Sequence, residues 1–175
     1  MTIPSHPLAF LLPGFLISDM QLDQTHLRLI ATATTPTRDC PRCGSASNSV
    51  HSHYTRTPRD LPLVGYAVGL ALHVRRFRCL NPACPTVTFA ERLTGLLSPS
   101  AQRTMRLTSA LHDLGLTLGG EAGSRQSQRA CMPASPATIL RLVHHTPPLL
   151  RPTPRVLGID DFVRPVPSKQ ASTWG

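Results

Sequence analysis

Cys40-Pro-Arg-Cys43-Gly44 sets two thiols on either side of a two-residue turn, and Cys79-Leu-Asn-Pro-Ala-Cys84-Pro85 sets two more around a four-residue loop. Thiolates are soft, charged ligands, and four of them at about 2.3 Å in a tetrahedron make a structural zinc site. Gly44 lets the backbone fold back after the first pair, so both sulfurs can reach one ion. Four cysteines fill the coordination shell and leave no open position, so the expected metal is structural. His51 and His53 lie close enough in sequence to be alternative ligands. A redox CxxC would want a strand-to-helix context of thioredoxin type, which this segment lacks. Cys131, the odd thiol, reads as a helix-packing residue.

Strand-like segments surround both turns. Val50–Thr57 and Ala67–Phe77 read as strands, the second with Val68, Leu70, Leu72 and Val74 on one face and His73 and Arg75 on the other. Two cysteine turns separated by strands is the plan of a zinc ribbon with an inserted hairpin. Earlier in the chain, Leu27, Leu29, Ala31 and Ala33 alternate with Arg28, Ile30, Thr32 and Thr34, and Asp23-Gln24-Thr25 supplies a turn, so residues 15–34 read as a hairpin.

The charge is strongly one-sided. The 175 residues carry a formal charge of +9, and every basic residue except Lys169 is arginine. Ten arginines against Asp39, Asp60 and Glu91 lie between Arg38 and Arg106, so most of the excess sits around the cysteines. The planar guanidinium fork suits phosphate and guanine, which points to double-stranded DNA as partner; the competing reading is a basic solvated surface. Arg56, Arg59, Arg75, Arg76 and Arg78 are the candidate backbone contacts of the ribbon.

Past residue 95 the pattern turns helical. Ser98 and Pro99 form a predicted cap and first helical position, with Leu107, Leu111, Leu114 and Leu118 at helical spacing behind them. Gly119-Gly120 breaks that helix, a weaker one follows over about 121–130, and Ser135-Pro136 caps a third. In the third, Ile139, Leu142 and Val143 mark the buried side and Thr138, Arg141 and His145 the outward stripe, as in a helix-turn-helix whose last helix enters a major groove. The competing reading of these helices is a small bundle without a DNA role. The stretch 156–161 reads as a short buried strand ending in Asp160 and Asp161.

With these residues in view, the chain resembles the N-terminal half of insertion-sequence transposases of the ISL-three family. The resemblance runs from about Leu12 to Phe162. It rests on Cys40-Pro-Arg-Cys43-Gly44, Val50-His-Ser-His-Tyr-Thr-Arg-Thr57, Asp60-Leu-Pro62 and Val74-Arg-Arg-Phe-Arg-Cys79. It continues through Asn81-Pro-Ala-Cys84-Pro, Phe89-Ala-Glu-Arg-Leu93, Leu118-Gly-Gly-Glu-Ala122 and Val156-Leu-Gly-Ile-Asp-Asp161. It implies an α+β chain: a β-rich zinc-ribbon domain over 1–95, a helix-turn-helix domain over 96–147, and over 148–175 a linker and the first strand of a ribonuclease-H-like domain; the tail from Arg164, polar, proline-containing and without periodicity, is expected to be disordered. It further implies recognition of the terminal inverted repeats of an element, and it leaves a homodimer open. Asp160 falls on the first acidic position of the family's DDE set.

After Phe162 the residues leave that pattern, and two-metal phosphoryl transfer needs several carboxylates around two ions. The expectation is therefore a truncated, catalytically inactive product, with magnesium relevant only to a full-length relative. The alternative is a zinc-ribbon and helix-turn-helix module that regulates or binds protein. No apolar run is long enough to span a membrane, Leu8–Ile17 being broken by Pro13-Gly14, and no secretory signal is seen. A cytoplasmic location is expected, where paired cysteines bind metal more often than they form disulfides.

Overall fold

The computed structural model describes residues 11–145, so Asp160, Asp161 and the expected ribonuclease-H-like strand lie outside the described residues. Within them the chain is α+β, with eight strands followed by two helices.

The first hairpin forms as the alternation predicts. β1 (Phe15–Leu22) pairs antiparallel with β2 (His26–Ala33), whose Leu27, Leu29, Ala31 and Ala33 are buried. Asp23 closes the turn by accepting hydrogen bonds from the Thr25 and His26 N–H groups at 3.0 and 2.7 Å. β3 (Arg38–Asp39) and β4 (Ala46–Ser47) are two-residue arms around the first cysteine turn. β5 (Val50–Arg56), β6 (Arg59–Leu63), the 13-residue β7 (Tyr66–Arg78) and β8 (Thr88–Ala90) follow.

β7 is the spine of the sheet. β2 lies parallel to its residues 67–73, and β8 pairs antiparallel with residues 76–78 further along the same edge. On the opposite edge β6 pairs with the start of β7 and β5 with its end. A strand of this length can serve two cores, because successive side chains point to opposite faces. Val68, Leu70, Leu72 and Val74 join Leu12, Phe15, Ile17, Leu27, Leu29, Leu93 and Leu97 in the main core. Phe77 has the opposite parity. It packs with Phe89 and Cys40 in a separate, smaller core that holds the cysteine turns. Tertiary structure thus divides one strand between two layers.

The first helix starts later than the sequence suggests. Ser98 and Pro99 do not open it: Leu93, Leu96 and Leu97 still pack on the sheet, and Ser100 takes a left-handed φ of 57° that ends the local turn. α1 (Met105–Arg129) begins instead at Thr104, whose fully buried Oγ1 accepts from the Leu107 N–H at 3.3 Å. Gly119 kinks α1 with φ 72°, ψ −171°, a conformation open to glycine because it lacks Cβ. The chain break expected at Gly119-Gly120 is this kink. Leu107 and Leu111 are buried, but Leu118 is 43% exposed; the buried stripe runs on through Gly115, which faces Ile139 and Val143 of α2, and past the kink through Gly123.

α2 (Pro136–His145) has the expected cap, Ser135 Oγ accepting from the Thr138 N–H at 3.2 Å. It lies unusually close to α1. A Cβ at Gly115 would stand 2.6 Å from Val143 Cγ2 and 2.7 Å from Ile139 Cγ2. Between the helices, Ser127 Oγ accepts from the Ala134 N–H and Ser124 Oγ donates to the Ala134 carbonyl, pinning the turn.

Candidate metal centre and basic surface

The short β3–β4 arms present Cys40 and Cys43, and the link from β7 to β8 presents Cys79 and Cys84. Each turn is shaped by backbone hydrogen bonds. Gly44 N–H donates to the Cys40 carbonyl at 2.9 Å, with Gly44 at φ 72°, and Cys40 N–H donates to Ser45. In the second turn Cys84 N–H reaches the Asn81 carbonyl, Ala83 N–H reaches Asn81 Oδ1, and Cys79 N–H reaches Val87. These bonds tighten a CxxxxC loop until its sulfurs converge as closely as those of a CxxC turn.

The four sulfurs all lie within 4.8 Å of one another, and Cys43 and Cys79 are 3.6 Å apart. A zinc ion with four sulfurs at about 2.3 Å needs sulfur–sulfur edges of about 3.8 Å, so the cluster fits one ion with small adjustments. All four thiols are unpaired by disulfides. The expected alternative ligands, His51 and His53, are exposed on β5 and stand outside the cluster. Cys131 also stands outside it; its Sγ contacts the Gly65 carbonyl at 2.9 Å.

Electrostatics within the cluster favour metal. Hydrogen bonds from the Ser45 side chain and N–H lower the Cys43 thiol to about 6. At Cys79 the Asn81 N–H acts in the same direction, but burial and the other three thiols outweigh it and push the group up to about 12. Four thiols this close cannot all ionise unaided; a divalent ion removes that obstacle by displacing protons. Cys40, Cys43, Cys79 and Cys84 thus form a site for a structural zinc.

The fold and this closed four-sulfur site define a zinc ribbon, carried on a larger sheet and followed by helices. Residues 36–84, from just before the first turn to the last cysteine, match the family model described as the zinc-finger of transposase IS204/IS1001/IS1096/IS1165. No curated protein matches the chain. No solved structure matches it either. The segment is therefore similar to the zinc-binding domain of these transposases. No helix among the described residues is long and apolar enough to cross a membrane.

The predicted basic contacts divide once they are placed. Arg76 and Arg78 are exposed at the end of β7, and Arg76 lies over the Tyr54 ring at 5.7 Å. Arg59 is exposed, with Nη1 donating to the Pro133 carbonyl at 2.8 Å. Arg56 is half-buried and donates to the Ala101 carbonyl at 2.7 Å. Arg75 is held inside the protein: it donates to both oxygens of Glu91 and to the Thr35 carbonyl, and it lies over the Phe77 ring at 5.1 Å. Of the helical stripe, Arg141 and His145 are exposed and Thr138 is half-buried. Thr138 and Arg141 share a groove of about 950 Å³ between α2, the start of α1 and the segment before it.

Two buried carboxylates do what the sequence reading did not foresee. Glu91 ties Arg75 on β7 to Arg38 on β3, so it fastens the ribbon to the sheet. Asp60 on β6 accepts from Thr104 Oγ1 at 2.7 Å and pairs with Arg106, so it fastens the sheet to the start of α1. Burial raises both carboxyls, but the hydrogen bonds from Arg106 and Thr104 to Asp60, and from Arg75 to Glu91, more than offset it and hold both below the usual carboxylate range. For Glu91 the signal was available: it has the same strand parity as the inward-facing Phe89.

Proposed function

We propose that residues 11–145 are the DNA-binding part of a transposase, with zinc as a structural element and the terminal inverted repeats of an insertion element as ligand. The observation that carries this reading is the match of residues 36–84 to a transposase zinc-finger family over a segment whose four sulfurs converge. The exposed Arg76 and Arg78 beside the second cysteine turn, and Arg59 and Arg56 along the adjoining strands, supply phosphate contacts. Arg75 serves this surface as a positioning residue, holding the ribbon through Glu91. The two limbs of α1 and the glycine-packed α2 act as a helix-turn-helix, with Thr138, Arg141 and His145 facing the groove of the duplex.

Among the described residues the cysteines are the only group of three or more potential metal ligands drawn together. The reading assigns these residues to binding.

The test is a salt titration of the zinc-loaded chain on a duplex carrying the element's end sequence and on a scrambled duplex. Each neutralised phosphate contributes about −0.9 to the slope of log K against log salt, so the four arginine contacts predict a slope of about −3 to −4. A flat slope, with no preference for the end sequence, contradicts the reading. The exposed Leu116, Leu118 and Leu140 favour a second reading, a protein-binding or self-associating helical face. That reading predicts the flat salt response.

A further inference from the structure

Two sets of three arginines stand out among the described residues. Arg38, Arg75 and Arg106 each face a buried carboxylate. Arg59, Arg103 and Arg141 gather with no carboxylate in ion-pair range among the described residues. Arg59 and Arg103 are partners across a parallel β-bridge, flanked by Arg59 N–H to the Gln102 carbonyl and Thr104 N–H to the Arg59 carbonyl, both at 2.9 Å. Opposed bridge partners project from the same face, so these two side chains leave the sheet together.

The third member comes from the helices. Arg59 reaches the Pro133 carbonyl in the turn before α2, and Arg103 lines one groove with Thr138 and Arg141 of α2. Burial, then the charges of Arg59 and Arg141, lower the Arg103 guanidinium below its ordinary value, in keeping with its place between the other two. Asp113 is the one acid lining the groove; it lies 3.3 Å from His112 and is no ion-pair partner of the arginines. Three like charges brought together repel, and an oxyanion relieves that repulsion through charge-assisted, forked hydrogen bonds.

We propose that Arg59, Arg103 and Arg141, drawn from β6, the connector before α1 and α2, form one phosphate-binding site that takes a backbone phosphate of duplex DNA. Arg103, which the sequence pattern did not single out, is its centre. A phosphate held there touches the sheet, the connector and the last helix at once, so it fixes how α2 is presented relative to the zinc ribbon. This inference rests on the DNA-binding reading above, and its test separates the two.

The experiment compares wild type, Arg103→Gln and the exposed control Arg92→Gln, all as zinc-loaded full chains. Inorganic phosphate, against chloride at equal ionic strength, raises the melting temperature of wild type and Arg92→Gln by about 2 °C or more and leaves Arg103→Gln unmoved. In chloride, Arg103→Gln keeps its zinc and melts no lower than wild type, because the substitution removes repulsion. On a 20-base-pair duplex, Arg103→Gln weakens binding about tenfold and makes the salt slope shallower by about one, while Arg92→Gln keeps wild-type values. Equal phosphate shifts in all three proteins, or unchanged duplex binding by Arg103→Gln, overturn the site. A phosphate shift confined to wild type and Arg92→Gln, with no duplex binding by wild type, keeps the oxyanion site and overturns its DNA ligand. No phosphate shift and no duplex binding overturn both.

Discussion

The two faces of β7 end in cores of very different size. On the even-numbered face, Val68, Leu70, Leu72 and Val74 belong to a cluster of thirteen buried apolar residues; on the odd-numbered face, Phe77 belongs to a cluster of three, with Phe89 and Cys40, against which Cys79 and Cys84 pack. Burying an aliphatic or aromatic side chain contributes about 1.5–3 kcal/mol, so the first cluster can offset the ordering of its strands and the second cannot. The cysteine turns are where a metal must make up the difference. Binding of zinc to small structural sites contributes about 10–16 kcal/mol, far more than two stacked phenylalanines. One strand is thus folded by apolar burial along most of its length and by metal at its end.

The largest expected effect separates the halves directly. Cys79→Ser should abolish stoichiometric zinc and remove hydrogen-exchange protection from β3, β4, β8 and both cysteine turns, while amides where β2 pairs with β7 stay protected. Uniform loss of protection would show that the two cores are one cooperative unit. Leu72→Ala reverses the pattern: it should lower global stability by about 2–5 kcal/mol in denaturant titration yet leave zinc content at wild-type level.

Acid probes the seams between regions. The Asp60 and Glu91 carboxyls are both depressed in the folded protein, so their contribution is present above their unfolded values near pH 4 and is lost as pH falls through the lower folded values. Asp60→Asn should remove most of the α1 part of this acid sensitivity and cost about 1–3 kcal/mol at neutral pH, because Arg106 is partly exposed and solvent screens the loss. An unchanged acid unfolding profile would contradict a role for Asp60 in fastening the helices.

Gly115→Ala should give the smallest effect. Alanine gains helix propensity by about 1 kcal/mol, but its methyl would meet two branched side chains at 2.6 and 2.7 Å, and overpacking of that kind costs about 1–3 kcal/mol. The net is a loss of about 1 kcal/mol, read as a lower melting temperature; a gain would mean that α2 can move away freely.

Much of this was legible in the residues. The hairpin, the strand face of Val68 to Val74, the Ser135 cap and the four-cysteine set follow from period, turn chemistry and ligand type, which are local. The start of α1 was not, because Ser98-Pro99 has good cap chemistry and only the packing of Leu93, Leu96 and Leu97 on the sheet takes precedence over it. Leu118 kept helical spacing in sequence yet is exposed, since the residue of that stretch that meets α2 is Gly115, which has no side chain to mark it. Arg75 looked like any basic strand residue; its partner Glu91 is sixteen positions away, and nothing local distinguishes an arginine facing solvent from one facing a buried carboxylate.

Native mass spectrometry of the purified chain, paired with its Cys79→Ser/Cys84→Ser variant, puts the central claim to the most direct trial. One zinc per wild-type chain, retained through moderate chelator challenge and absent from the double variant, is the predicted result. A wild-type chain that carries no zinc yet keeps its cysteine turns protected from exchange would contradict it, as would a double variant that still holds one ion on Cys40 and Cys43.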